Sequence, residues 1–335
     1  MLRKMLALSL CILLLLSGCG KKSQKYQNTY WGVFDTATQI TGYALTQAEF
    51  DRQAQQVFDQ LYEYHQLFDI YNDYPGLNNL KTVNDQAGIT PVQVAPAIVE
   101  LLLDCRAYYE ATDGVVNVAM GSVLRLWHQA RMAAREDPEN AALPDQLALQ
   151  EAAKHTDWES VIIDAQASTV YLSDPAMSLD VGAVAKGWAT QKVAEAAPEH
   201  MLLSVGGNIC ATGPKPDGNA WNIGIQDPDD TQSYLQTVNL FSGCAVTSGD
   251  YQRRYTVDGV DYHHIIDPQT LYPATAWQSV TVLCADGGLA DVLSTALFLL
   301  PLEEGKALAL SYQAEAMWVD AQGYIYKTDG FDGGN

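Results

Sequence analysis

The 335-residue sequence is poor in basic residues, with 19 Lys and Arg against 40 Asp and Glu and a formal net charge of −21. Phosphate contacts need an excess of cations, so this composition argues against a nucleic-acid partner. An anionic ligand is compatible with it if backbone N–H groups, one or two placed cations or a metal ion hold that ligand. The hydrophobic residues, 48% of the chain, predict a folded protein with a large core.

The apolar run at the N-terminus, Leu6 to Leu16, is too short to span a bilayer as a stable anchor. It follows two basic residues and precedes Cys19, an order typical of a bacterial lipoprotein signal. We predict a signal peptide over residues 1–18, a lipid on Cys19, a tether over 19–29, and an extracytoplasmic protein anchored by lipid to a bacterial membrane. An ordinary signal peptide or an uncleaved anchor is the alternative. Removal of the signal changes the net charge to 17 minus 40, or −23.

The six cysteines form no C-x-x-C pattern. Beyond the signal region, Cys105, Cys210, Cys244 and Cys284 are widely spaced, which does not suggest a zinc site or a small disulfide framework. Disulfides can form outside the cytoplasm, but we expect buried free thiols.

Helical and strand-like patterns mix without strict βαβ alternation. A predicted helix has Thr46 as its N-cap and Glu49 three residues later, as in a capping box, and Pro96 begins another helix. Short strand-like segments fill much of the C-terminal half. The sequence therefore predicts an α+β fold with a mixed, largely antiparallel sheet and packed helices, as one domain over residues 30–327 followed by a tail over 328–335.

Two glycine-bearing segments could approach a ligand. A strand ends at Asp180, a turn follows, and a helix with Lys186 begins, so its first N–H groups and a cation suit a phosphate. A plain strand-turn-helix junction with a surface lysine is the alternative. The Gly206-Gly207 pair allows close backbone approach, or forms a simple hairpin turn.

Two further segments carry polar groups. Ser248 follows a strand and could donate to an anion, and His263-His264 end another strand, so at most one of these imidazoles should enter a site. Asp291 and Thr295 share one face of an apolar helix. Two oxygen ligands one turn apart suit Mg²⁺. Alternatively, the carboxylate interacts with the helix dipole and the hydroxyl with the preceding turn.

Taken in order, these segments resemble the ApbE family, flavin transferases that move FMN from FAD onto a protein Ser or Thr. The resemblance covers about residues 34–310 and implies a T-fold-related domain. Its motifs are Leu179-Asp180-x-Gly-x-x-Ala185-Lys186-Gly187, Gly206-Gly207-Asn208, Thr247-Ser248-Gly249-Asp250-Tyr251, His264-Ile265-Ile266-Asp267-Pro268 and Ala290-Asp291-x-x-x-Thr295-Ala296.

The resemblance implies a Mg²⁺ ion that bridges the FAD diphosphate, with Asp291, Thr295 and the carbonyl of Ala183 as the protein's ligands. It implies His264 and Asp291 as catalytic residues. The ordinary pKa of histidine suits His264 to act as the base, and Asp267 is the candidate for the group that orients it. The implied FAD-contacting residues are Phe34, Thr36, Tyr71, Thr112, Asp113, Gly114, Asp180, Lys186, Ser248, His264 and Ile265.

Three positions depart from the family pattern. Phe34-Asp35-Thr36 stands in place of Met-Gly-Thr, Asn117 stands where Asp is common, and the frequent Gly before Pro273 is missing. A charge role at Asn117 is therefore in doubt, and the turn before Pro273 can differ.

The activity implied by the resemblance is Mg-dependent FAD:protein FMN transfer, which leaves a phosphoester and releases AMP. Tyr71 stands where an aromatic residue packs against the flavin. The implied partner is an acceptor protein with an FMN-binding domain, such as an extracytoplasmic electron-transfer subunit or reductase. Two alternatives need the same residues: an FAD pyrophosphatase, with water as the nucleophile, and a non-catalytic flavin-binding lipoprotein.

Overall fold

The computed structural model describes residues 22–230 and 232–333. The predicted signal peptide and Cys19 lie outside these residues. The helices are α1 Gln47–Phe68, α2 Leu80–Asp85, α3 Pro96–Ala111, α4 Gly121–Glu136, α5 Gln146–Ala152, α6 Ala185–Ala196, α7 Gly287–Leu299 and α8 Leu302–Ser311. The strands are β1 Gln24–Val33, β2 Thr36–Ala44, β3 Val92–Gln93, β4 Val161–Asp164, β5 Thr169–Leu172, β6 Met201–Val205, β7 Asn208–Ala211, β8 Trp221–Gln226, β9 Tyr234–Leu240, β10 Gly243–Gly249, β11 Arg254–Val257, β12 Val260–His263, β13 Trp277–Cys284, β14 Glu315–Asp320 and β15 Ile325–Lys327.

The central sheet has eight strands in the order β1-β2-β6-β7-β10-β13-β14-β15, and each neighbouring pair is antiparallel. Smaller sheets pair β11 with β12, β8 with β9, and β3 with β5 and β4. The predicted α+β class with a largely antiparallel sheet is confirmed.

Both faces of the central sheet are covered, as strand β13 shows. Val280 and Val282 belong to a core that includes α7 residues, whereas Leu283 packs in a separate core with Ile223 and Val238 of the β8–β9 hairpin. Successive side chains of a strand point to opposite faces, and this strand is buried nearly throughout because both faces are covered. Helices therefore cover one face and a hairpin covers the other.

Helix α1 packs one stripe, including Phe50 and Leu61, into the main core. The Thr46 hydroxyl accepts from the Glu49 N–H at 3.2 Å, so the predicted N-cap is confirmed. The Glu49 carboxylate accepts from the Leu45 N–H at 3.1 Å, one residue before the position of a standard capping box.

Helices α6 and α7 touch at a glycine. A Cβ on Gly187 would lie 2.3 Å from the carbonyl oxygen of Gly287 and 2.4 Å from Cβ of Asp291. A side chain there would force the helices apart, so the glycine sets the position of Asp291.

The expectation of free thiols is wrong for two cysteines. Cys210 and Cys244 face each other on the neighbouring strands β7 and β10 and form a disulfide. Cys105 and Cys284 are buried free thiols. The pairing follows from strand order, which the wide spacing of these cysteines along the chain does not reveal.

Ordered structure extends past both predicted domain boundaries. Strand β1 begins at Gln24, inside the predicted tether 19–29, and its Tyr30 ring stacks on Phe58 at 4.5 Å. In the predicted tail 328–335, Phe331 is fully buried. Aromatic packing accounts for both differences. Within the described residues, no helix is long and apolar enough to cross a membrane.

Candidate active site

A cleft of about 650 Å³ lies where the turns and strand ends of the sheet meet α1, α4, α6 and α7. This volume is typical of pockets for small-molecule ligands. The residues predicted from the sequence that line it are Phe34, Thr36, Tyr71, Asp180, Ala183, Lys186, Ser248, His264, Ile265, Asp291 and Thr295. One cleft therefore brings together most of the predicted site.

Asp291 is the buried carboxylate of the cleft, at 4% exposure on α7. One of its oxygens, Oδ2, accepts from the Gly187 N–H at 2.8 Å and lies 3.8 Å from Nζ of Lys186. Thr295 stands one turn later and also lines the cleft, with its hydroxyl 3.4 Å from the Asp291 carbonyl oxygen. Both side chains are thus available to a ligand, although the hydroxyl also has the contact with the preceding turn that the alternative interpretation expected.

The turn before α6 presents Asp180, Ala183 and Lys186 to the cleft. An Asp180 oxygen accepts from the Gly182 N–H at 2.9 Å, and the Lys186 ammonium donates to the Gly182 carbonyl at 3.3 Å. Burial raises the pKa of Asp180, and the Gly182 N–H and the guanidinium of Arg253 oppose that rise. The turn therefore fixes a carboxylate and a cation beside the start of a helix.

The donor set fits Mg²⁺. Asp291 offers a carboxylate, Thr295 a hydroxyl and Ala183 a backbone carbonyl, all hard oxygens. In residues 22–230 and 232–333, no cluster of three or more His, Cys, Asp or Glu side chains could hold a metal by itself. Mg²⁺ commonly binds through one or two carboxylates and completes its shell with water and substrate phosphate, which matches this sparse set.

The side chain of Ser248 links β10 by hydrogen bonds to α7, the helix that carries Asp291. Its hydroxyl lies 2.8 Å from the hydroxyl of Ser294, which in turn donates to the Asp291 carbonyl at 2.8 Å. Ser294 is fully buried, and sequence reasoning missed it. Its position three residues after Asp291 is the signal that could have revealed it.

His264 differs from the sequence expectation in two ways. Its Nδ1 atom is buried and has no hydrogen-bond partner among the described residues. Burial, followed by the charges of Arg253, His263 and Lys186, lowers its pKa to about 3, below the ordinary range expected of a base. The Asp267 carboxylate accepts from the Gln269 N–H at 2.7 Å and makes no described hydrogen bond to His264, so the proposed orienting role is wrong.

Both histidines line the cleft, although only one was expected there. Strand β12 ends at His263, so strict alternation of faces does not continue to His264. Nε2 of His263 lies 2.6 Å from the Ala274 carbonyl, and its Nδ1 accepts from the Ile265 N–H at 3.2 Å. His263 therefore braces the segment that carries His264.

Two hairpin turns meet at the edge of the cleft. Phe34 and Asp35 connect β1 to β2 with φ of 50° and 54°, and Gly206-Gly207 connect β6 to β7. A Cβ on Gly206 would lie 2.6 Å from the Thr36 hydroxyl oxygen. The glycine pair is thus a hairpin turn that also permits a close approach at the site.

The mouth of the cleft contains residues that the sequence did not reveal. The Tyr71 ring stacks on His128 at 4.6 Å, and its hydroxyl lies 3.4 Å from His128 Nδ1. Arg131, one turn later on α4, donates to the same nitrogen at 3.1 Å. Arg253 donates to the Phe34 carbonyl at 3.5 Å. The spacing of His128 and Arg131 by three residues, which places them on one helix face, was the only sequence signal.

Thr112, Asp113 and Gly114 do not line the cleft, contrary to the family-based expectation. The Thr112 hydroxyl donates to the Tyr108 carbonyl at 2.8 Å and accepts from the Val116 N–H at 3.2 Å. Asp113 and Gly114 have positive φ, as the turn that ends α3 requires. This turn instead directs residues 115–118 into the cleft.

Asn117 lines the cleft, but its amide is already engaged. The amide donates to the Thr156 carbonyl at 2.9 Å and accepts from the Ala119 N–H at 2.9 Å. The neutral side chain therefore holds the backbone of this loop. The turn before Pro273 also forms without the frequent glycine, with Leu271 at a φ of 63°.

A buried carboxylate, neutral oxygen donors, a helix start and nearby cations define the class of site that binds a phosphorylated ligand. The chain belongs to the ApbE family, whose model matches residues 34–318. It is 37% identical over 248 residues to the FAD:protein FMN transferase of Treponema pallidum, with 68% of this chain and 67% of that protein covered. It is 28% identical over 336 residues to the FAD:protein FMN transferase of Vibrio cholerae, with 96% and 94% covered.

A solved structure supports the same relationship. The crystal structure of the ApbE protein from Thermotoga maritima has a TM-score of 0.81 and 28% sequence identity, with 92% of this chain and 99% of that chain covered. The family resemblance found in the sequence is confirmed.

Proposed function

We propose that the chain is a Mg-dependent FAD:protein FMN transferase, which moves FMN from FAD to a Ser or Thr hydroxyl of an acceptor protein and releases AMP. The names of its relatives support the reaction. One observation carries the proposal. The buried carboxylate of Asp291, the ammonium of Lys186 and the Nδ1 atom of His264, which has no hydrogen-bond partner among the described residues, all lie in one cleft.

The residues around Asp291 would hold the diphosphate. Asp291, Thr295 and the Ala183 carbonyl would bind Mg²⁺, which when bound supplies positive charge to the phosphoryl oxygens. Lys186 offers a second positive charge 3.8 Å from Asp291 Oδ2. The Ser248 hydroxyl would donate to the ligand by turning away from Ser294. Charge that develops on the phosphoryl groups therefore meets fixed positive groups.

The acceptor's hydroxyl oxygen attacks the FMN phosphorus and forms the new phosphoester bond. The bond between that phosphorus and the oxygen of the AMP phosphate breaks, and its electron pair leaves with AMP. His264 accepts the hydroxyl proton because it is neutral at pH 7. Burial and then the surrounding cations lower its pKa, and a bound diphosphate would offset the part due to the cations and strengthen His264 as a base.

The direct test incubates the full chain with FAD, Mg²⁺ and an FMN-accepting domain. We expect flavin fluorescence on the denatured acceptor, one AMP per modified acceptor, and no reaction with EDTA. An unmodified acceptor would overturn the proposal. AMP release that is undiminished by acceptor would favour the pyrophosphatase, and FAD that stays bound and intact would favour the non-catalytic flavin protein.

The role of His264 has its own test. We expect His264→Ala to lower the transfer rate by about 100-fold or more while the Kd for FAD changes by less than about threefold. His200→Ala is the matched control, because His200 lies outside the cleft lining. Equal losses in rate and FAD binding would make His264 a binding residue.

We further propose that the protein acts outside the cytoplasm, held at a membrane by lipid on Cys19, on an acceptor such as an electron-transfer subunit or reductase. Four residues separate Cys19 from the start of β1, a reach of about 17 Å. Growth with a radiolabelled fatty acid should label the wild-type chain and not Cys19→Ala. Label on the variant, or none on the wild type, would contradict lipidation.

A further inference from the structure

Two arginines of the cleft have no ion-pair partner. Arg131 and Arg253 both line it, and within residues 22–230 and 232–333 no carboxylate oxygen lies within 4.0 Å of either guanidinium. Acidic residues outnumber basic ones 40 to 19, so chance pairing should be easy. The neighbouring Arg254 pairs with Asp261 at 3.2 Å.

Neutral groups hold the two head groups in place. Arg131 donates to Nδ1 of His128 at 3.1 Å, and Arg253 donates to the Phe34 carbonyl at 3.5 Å. These contacts orient the guanidiniums without cancelling their charge. Burial and then the charge of Arg253 lower the pKa of Arg131, which is half-buried, whereas Arg253 is exposed at the rim of the cleft.

The carboxylates of the cleft form no ion pair with these two arginines, although the charge of Asp180 acts on both through space. Asp35 and Asp180 also line the cleft, but neither forms an ion pair with the two arginines, and Asp180 accepts from the Gly182 N–H. Asp291 has Lys186 as its nearest cation. The charge of the arginines is therefore left for an anionic ligand.

We propose that Arg131 and Arg253 form a phosphoryl-binding subsite at the mouth of the cleft, additional to the Asp291 and Lys186 position. This inference rests on the proposed use of FAD and names the groups that bind its diphosphate from the mouth side. Planar guanidiniums present several donors to phosphoryl oxygens, and their charge strengthens each hydrogen bond.

The test measures ligand binding, without turnover. Calorimetry on the full chain in EDTA gives the Kd of FAD, FMN, AMP, riboflavin and adenosine for wild type, Arg131→Gln and Arg253→Gln. We expect each variant to bind FAD about tenfold more weakly, and riboflavin and adenosine within about twofold, because only ligands with phosphate lose a charged contact. Added salt should weaken FAD binding more in wild type than in the variants.

The chain offers a matched control for each arginine. Arg135 lies four residues after Arg131 on α4 but outside the cleft lining, and Arg254 follows Arg253 but pairs with Asp261. Arg135→Gln and Arg254→Gln should leave the Kd of FAD within about twofold of wild type. Melting curves identify any variant that fails to fold, and Arg131→Lys and Arg253→Lys then serve as milder replacements.

The measurements with FMN and AMP identify which phosphoryl group of FAD the subsite binds. Loss of affinity for FMN assigns the subsite to the flavin side of the diphosphate, loss for AMP assigns it to the adenosine side, and either supports the proposal. Unchanged FAD affinity, or equal losses for riboflavin and FAD, would overturn it. Arginine-dependent FAD binding without FMN transfer would instead refute the proposed function and leave the subsite intact.

Discussion

The interior of the cleft and its mouth are built differently. In the interior, Asp291 and Thr295 stand on one helix, and Gly187 locks that helix against α6. At the mouth, Tyr71 follows α1, Arg131 comes from α4, and Arg253 precedes β11. One packed pair of helices thus places the interior groups, whereas the groups at the mouth come from three separate segments of the chain.

This difference separates two kinds of function. Charge on a reacting phosphoryl group must be met at a fixed position, which packed helices supply. Groups that mainly bind the ligand tolerate more variation in their position, so loops and exposed side chains are adequate to carry them. Interior substitutions should therefore remove turnover or stability, and mouth substitutions should mainly weaken ligand binding.

The largest effect is expected at Asp291. Asp291→Asn should lower FMN transfer by about 1000-fold, because the amide can still accept from the Gly187 N–H but supplies no negative charge to Mg²⁺. Its melting temperature should stay within a few degrees of wild type. Transfer assays over a Mg²⁺ titration provide the check, with Asp286→Asn, which retains an acceptor for the N-cap of α7, as the control. Retained activity would refute the metal assignment.

The disulfide beneath α7 should give the next largest effect. A Cβ on Gly287 would lie 2.9 Å from each sulfur of the Cys210–Cys244 disulfide, so the disulfide packs against the first turn of α7. Replacement of both cysteines by Ala should lower the free energy of unfolding by about 3 kcal/mol, because the bond closes a chain segment with a sequence separation of 34. Urea unfolding with and without reductant measures this loss.

The double variant also controls for the reductant, since its unfolding by urea should be the same with and without reductant. Cys105→Ala, which removes a buried free thiol, should also leave the response to reductant intact. A wild-type protein whose unfolding is unchanged by reduction would contradict the supporting role.

The contrast between interior and mouth also explains what the sequence could predict. Asp291 and Thr295 were recognisable because helical periodicity fixes which residues share a face. Thr112 lies outside the cleft lining because its motif forms the turn that aims the next residues, and a motif does not say which of its side chains reach the cleft. Arg131 and Arg253 were missed because only the tertiary fold brings α4 beside the segment before β11.

The sequence also does not show which side chains become buried. The ordinary pKa expected of His264 fails because neighbours from several elements desolvate it and add positive charge. The residues up to Asn28 predict a tether because they are mostly polar, whereas Tyr26 and Tyr30 of β1 find their ring partners on α1. Contacts between distant segments decide both outcomes.

A smaller effect is expected at the mouth, from Tyr71. Tyr71→Ala should raise the Kd of FAD by about tenfold if the ring packs against the flavin as the family resemblance implies, because the variant would lose that stacking energy. Tyr71→Phe keeps the ring and should stay within about threefold of wild type. Tyr62→Ala is the control, since Tyr62 is exposed but does not line the cleft. If Tyr71→Ala slows transfer at saturating FAD but leaves the Kd unchanged, the distinction between interior and mouth fails.

The smallest effect is expected at Asp250, beside the end of β10. Burial raises the pKa of Asp250 from 3.8 to about 6. The charge of Arg254 opposes this rise, and the charges of Asp229 and Asp261 add to it. A raised carboxyl pKa means that the folded state favours the protonated form. The stability from Asp250 is therefore fully present below about pH 3.8 and is lost as the pH rises through about 6.

Asp250→Asn should consequently be more stable than wild type by about 1 kcal/mol at pH 7.5, a figure reduced because the side chain is only partly buried. The advantage should largely disappear near pH 4, where the folded carboxyl is protonated and the unfolded carboxyl is close to its midpoint of 3.8. Urea unfolding at both pH values tests this, with the exposed α1 residue changed as Asp59→Asn for comparison. A stability difference that is the same at pH 4 and pH 7.5 would show that the substitution acts through packing, because only a titrating carboxyl makes the difference depend on pH.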